Sequence, residues 1–84
     1  MTRDVTRTLN NAMDSVNLIN QINDGDFSYF QEGYTQEIVN RRVQENVQHL
    51  EIILAYEEVV EDETDKTPYT TAIATGKQYL TDNV

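Results

Sequence analysis

Apolar residues recur along this chain at steps of three and four, the spacing of one face of an α-helix. Val5, Leu9, Ala12, Val16 and Ile19 make the first such stripe and predict a helix over residues 4–23. Thr2 is placed to cap it, and Asp4 sits at the positive end of its dipole. Asp24-Gly25-Asp26 then stops it, because Gly25 can adopt the left-handed conformation that ends helices. Val39, Val43, Val47, Leu50 and Leu54 repeat the pattern and predict a second helix over 35–59. On its solvated face Glu37, Arg41 and Glu45 follow one another at steps of four.

A third helix is predicted over 68–81, with Thr67 as cap, Pro68 at the first helical position, and Tyr69, Ala72, Ile73, Gly76 and Leu80 along one side. Residues 24–34 and 60–67 remain as a loop and a link. Leu18 and Ile22 fall outside the first stripe, and Ile52, Tyr56 and Val59 outside the second, so each helix is expected to make a second contact. The third helix is expected to return along the C-terminal half of the second, covering Ile52 and Tyr56. The predicted fold is all-α: an antiparallel helix hairpin with a shorter third helix in a single domain, with Val16, Leu50 and Leu54 buried.

Length and charge sharpen this picture. Eighty-four residues allow one core, and the chain has no cysteine to staple it. The net charge of −9 divides into −2 for residues 1–42 and −7 for residues 43–84. Such a surface repels phosphates, so direct nucleic-acid binding is not expected. No apolar run reaches the roughly 18 residues that span a bilayer, and Met1 to Asp4 lack the apolar stretch of a signal peptide. A soluble protein of a host cytoplasm, or of a particle assembled there, is expected.

Candidate chemistry is sparse. Asn20 to Gln31 echoes a calcium loop around Gly25, but Ile22 stands at position three and Gln31 at position twelve, where oxygen ligands and a bidentate carboxylate are required. A helix-stop turn accounts for the same residues. His49 has no nucleophile or acid spaced to work with it and reads as a half-buried helix-surface side chain. No catalytic residue, metal site or cofactor is expected. Two segments can instead serve recognition. Phe27, Tyr29, Phe30 and Tyr34 place four of the seven aromatic residues within eight positions; they can plug the end of the bundle, anchor an interface, or do both. Glu57, Glu58, Glu61, Asp62, Glu63 and Asp65 make six of the nine residues from 57 to 65 acidic. That run is either a solvated, mobile link or a docking strip for a basic partner.

The stretch from Val43 to Leu54 contains Asn46-Val47-Gln48-His49-Leu50-Glu51-Ile52-Ile53-Leu54, and Ala72-Ile73-Ala74-Thr75-Gly76-Lys77 follows beyond the acidic link. Together they resemble short modules in uncharacterised proteins of tailed bacteriophages, particularly marine and cyanobacterial phages, which pair an N-V-x-H-L-E-I-x-L helix with an A-I-x-x-G-K helix. The resemblance covers the second half of the chain; those modules often carry a Trp in the link, which this chain lacks. It implies a viral origin and brings no functional residue with it. The expected function is therefore that of a non-enzymatic interaction or structural protein, a virion component or assembly factor, whose partner is a second copy or a basic host or viral protein. The alternative is an acidic inhibitor that imitates nucleic-acid charge to block a host DNA-binding protein.

Overall fold

A computed structural model of the chain describes residues 4–84. It is all-α, with helices α1 (Val5–Asn23), α2 (Gln36–Ala55), α3 (Glu57–Glu61) and α4 (Thr67–Asp82). The Asp4 carboxylate caps α1 by accepting from the Arg7 amide at 3.1 Å; the predicted Thr2 cap lies outside the described residues. At the other end Asp26 N–H donates to the Gln21 carbonyl and Gly25 N–H to that of Ile22, both at 3.0 Å, and Gly25 has φ +88°. This is the Schellman closure, which satisfies carbonyls that the last turn leaves unpaired. The Thr35 hydroxyl caps α2 by accepting from the Ile38 amide at 3.2 Å.

The three long helices run up, down and up. Tyr69, near the start of α4, donates its hydroxyl to the Leu9 carbonyl near the start of α1 at 3.3 Å. At the far end Gln36 Nε2, in the first turn of α2, donates to the Tyr79 hydroxyl at 2.9 Å, and Asn40 Nδ2 donates to the Asn83 carbonyl at 2.7 Å. The end of α4 is thereby tied to the start of α2. Between these fastenings lies one core, in which Leu9, Ala12, Val16, Ile19 and Ile22 of α1 meet Val39, Val43, Val47, Leu50 and Ile53 of α2 and Tyr69, Ala72 and Tyr79 of α4. Gly76 is the closest point of approach: a Cβ there would overlap Val47 Cγ2 and lie 3.5 Å from both Ile19 Cγ2 and Val43 Cγ1.

Several expectations need correction. The second helix does not run to residue 59. It ends at Ala55, Tyr56 is extended (φ −64°, ψ 132°), and α3 follows as a separate short helix. The break has two physical consequences. It turns Val59 into the core, where it is fully buried. It also moves Glu57 and Glu58 from the negative end of a long helix dipole to the first turn of a new helix, where acidic side chains are favoured. Ile52 is not covered by the returning helix but stands 56% exposed, whereas Tyr56 is half-buried. Leu54 is half-buried rather than buried, the seam position being taken by Ile53. Helix α4 begins at Thr67 itself rather than being capped by it; the cap position is Lys66, whose side chain makes no capping bond, and the Thr67 amide and hydroxyl both donate to the Asp65 carboxylate, at 2.9 and 2.6 Å. His49 is exposed.

Two substitutions test this packing. Leu50 is completely buried, so Leu50→Ala should cost about 2–5 kcal/mol, a large share of the stability of so small a domain. Gly76→Ala should destabilise by overpacking, because the branched Val47 side chain has little freedom to withdraw; a fall in Tm of roughly 4–20 °C follows. Thermal melts followed by circular dichroism check both, and a Gly76→Ala protein as stable as wild type would refute the close approach.

Candidate functional site

The loop between α1 and α2 begins with two linked turns. The Asp26 carboxylate accepts from the Ser28 amide at 3.0 Å, and Gln21 of α1 donates to the Ser28 hydroxyl at 3.2 Å. Phe30 N–H then donates to the Phe27 carbonyl at 3.0 Å, and Tyr34 N–H to that of Gln31 at 3.2 Å, with Gly33 at φ +90° permitting the reversal. These turns gather all four aromatic side chains. Phe27 and Tyr34 are 5.7 Å apart between ring centroids, Phe30 and Tyr34 5.6 Å, and Tyr29 meets Phe30 edge-on at 5.2 Å. All three separations lie in the range of attractive aromatic pairing.

Burial divides the cluster. Phe27 and Phe30 are half-buried against the core, while Tyr29 and Tyr34 are 53% and 42% exposed. The phenylalanines pack at the bundle end, as the plug reading expects, and the tyrosines face outward. Near the end of α1, Leu18 is half-buried and Ile22 fully buried. Ile38 is 42% exposed and borders a shallow concavity of about 420 Å³ with Tyr29, Phe30, Tyr34, Gly33 and Arg42. The Arg42 guanidinium sits 5.7 Å from the Tyr29 ring centroid, within cation–π range, and forms an ion pair with Glu45 at 3.5 Å. Arg42 was not singled out by the sequence; its spacing of four from Ile38 on α2 is the signal that places the two together.

The acidic segment lies elsewhere. The loop adjoins the start of α2 and α3 follows its end, so a helix of 20 residues, about 30 Å long, separates the two candidate surfaces. They are not one site. Nor is the acidic segment a free run of charge. Glu57, Glu58 and Glu61 are exposed on α3, and Glu63 is exposed beyond it. Asp62 accepts from the Thr64 amide at 3.0 Å, Asp65 accepts from the Thr67 amide at 2.9 Å, and Lys66 Nζ donates to the Asp62 carbonyl. Hydrogen bonds from Thr64 and Thr67 hold the carboxyls of Asp62 and Asp65 below the ordinary aspartate range, and those from Ser28 do the same for Asp26. These aspartates build turns. Among the described residues no group of three or more His, Cys, Asp or Glu side chains converges to hold a metal ion, and no helix is long and apolar enough to cross a membrane.

A carboxyl whose pKa is lowered by folding stabilises the fold above its unfolded value, and that contribution disappears as pH falls through the lowered folded value. For Asp62 and Asp65 the loss begins near the ordinary 3.8 and is complete only below it. Between neutrality and about pH 5 the opposite trend applies, because partial protonation relieves repulsion in the acidic half. Stability should therefore rise from pH 7 to about pH 5, and the contribution of these aspartates should be lost below about pH 4. Melting temperatures across that range, with carbon-13 titration of the aspartate carboxyls, check the sign of each limb. Set beside known proteins, the chain matches no family, no curated protein and no solved structure.

Proposed function

We propose that this chain is a non-enzymatic, phage-encoded interaction or structural protein, a virion component or assembly factor, that binds a protein partner through its aromatic loop. The observation that carries the reading is the division of labour within the loop. Two half-buried phenylalanines hold two outward-facing tyrosines beside an exposed isoleucine and an arginine. Tyr and Arg around an apolar centre are the residue types that dominate binding energy at protein interfaces. A loop needed only to close the bundle would turn its tyrosine rings inward.

The competing reading, an acidic imitation of nucleic acid, has weaker support. Mimicry requires carboxylates spaced along a rigid face, whereas six of the fifteen acids crowd one end of this molecule and two of those are engaged in turns.

The test is affinity capture with tagged protein, alongside mass spectrometry of purified virions. Tyr29→Ser combined with Tyr34→Ser removes only exposed rings, so helicity should be unchanged while the captured partner is lost or reduced about tenfold or more. Equal capture by wild type and variant would refute the loop as the binding surface. Capture of a host DNA-binding protein by the acidic end, insensitive to the tyrosines, would favour mimicry.

A further inference from the structure

The buried side of α1 carries one residue that packing does not require. Ala12, Val16, Ile19 and Ile22 bury apolar side chains, and Ser15 lies among them at 6% exposure, the only hydrophilic side chain buried with the core among the described residues. A serine inside a helix commonly returns its hydroxyl to the carbonyl one turn earlier. Ser15 does not: its hydroxyl makes no hydrogen bond among the described residues, whereas the buried hydroxyls of Tyr69 and Tyr79 are both paired. Nor is the oxygen sealed in, since no fully buried side-chain N or O atom among the described residues lacks a partner. It opens on a groove of about 360 Å³ between α1, α2 and the aromatic loop.

Acceptors line this groove. Asp14 is exposed, and its carboxylate has no cationic partner among the described residues. Asn46, across the seam on α2, donates Nδ2 to the Arg42 carbonyl at 2.8 Å, which leaves Oδ1 to accept. Half-buried Leu18 and the exposed ring of Tyr29 add apolar surface, and Gln21 ties the groove to the loop through Ser28 at 3.2 Å. No basic residue lines it; the Arg42 guanidinium beside Tyr29 is paired with Glu45 and borders the neighbouring concavity. One carboxylate and two neutral acceptors, in a chain of net charge −9, favour a cation and repel an anion. The space far exceeds the roughly 30 Å³ of one water molecule.

We propose that this groove receives a lysine side chain of the protein partner, its ammonium group held by Asp14, Ser15 and Asn46. An ammonium has three donors and no acceptor, which matches three acceptor groups. Its flexible aliphatic stem can lie along apolar surface of the kind Leu18 and Tyr29 offer. A guanidinium matches less well, because its planar fork is best met by a carboxylate in bidentate geometry and only one of the three acceptors is a carboxylate. Tyr29 borders both this groove and the concavity beside Ile38 and Arg42, so one partner crossing the loop meets both. The inference rests on the loop being a protein-binding surface and specifies what the partner presents beside it.

The probe is acetyl-Gly-Lys-Gly-amide, titrated at constant ionic strength into nitrogen-15-labelled protein, with the arginine and ε-acetyl-lysine peptides as comparisons. The lysine peptide should give saturable shifts centred on the Asp14, Ser15 and Leu18 amides and the Asn46 side-chain amide. The arginine peptide should bind more weakly and the acetylated one not at all. Asp14→Asn, at an exposed position, should keep wild-type circular dichroism and weaken lysine binding roughly threefold or more. Ser15→Ala should raise the melting temperature, because it removes an unpaired hydroxyl from a helix, and should also weaken the peptide. A more stable Ser15→Ala protein that binds the peptide as well as wild type would overturn the site. So would an equal response to the acetylated peptide, or shifts no larger at the groove than along residues 57–65, the mark of general charge attraction. Loss of the peptide response with capture intact removes the groove and keeps the loop, whose own test is the tyrosine variant.

Discussion

The closeness with which α4 lies against the other two helices governs the rest of this structure. Gly76 has no side chain, and Ala72, one turn earlier, has a single methyl group, so the backbone of α4 settles into the groove between α1 and α2. That proximity lets Tyr69 reach the Leu9 carbonyl at one end and Tyr79 reach Gln36 at the other. With larger residues at positions 72 and 76 the helix would stand off, and both hydroxyls would lose partners while still partly desolvated. In a domain without disulfides, three helices held at this distance supply the dispersion contacts that a thicker core would otherwise provide.

The break at Tyr56 shows two local forces acting together. Continuing α2 would place Glu57, Glu58 and Glu61 at the negative end of a long dipole and leave Val59 off the buried stripe. Ending the helix at Ala55 removes both conflicts at the cost of a few intrahelical hydrogen bonds. Part of that cost is recovered where Val59 and Val60 N–H groups donate to the Tyr56 carbonyl at 3.0 and 2.9 Å.

The helices and most of the core were legible in the sequence because their stripes are regular and their stop signals chemically distinct. Gly25 ends α1 through the geometry its position implies, and Val16 and Leu50 are buried as their register requires. The break in α2 was not legible as a break. Its trace was the departure of Val59 from the stripe, which spacing alone reads as a second contact face. Ile52 departs from the stripe in the same way and is exposed, so the sequence pattern cannot separate the two outcomes; only the direction of the chain after Tyr56 does. The aromatic loop was visible as a cluster, but its division into inward phenylalanines and outward tyrosines depends on the turns at Asp26 and Gly33. Arg42 and Ile38 join that surface through helix phase.

The polar fastening of Gln36, Asn40, Tyr79 and Asn83 bears on how the chain assembles. Its direct links join residues 43 positions apart, so their formation must follow closure of most of the chain. The α1–α2 hairpin has a loop of only a dozen residues and a smaller closure entropy. That pair can meet first and present a groove, into which α4 docks last and is latched at its far end. Docking of this order makes α4 the element most readily released: a transient opening would free Tyr69, Ala72 and Tyr79 together while leaving the hairpin paired.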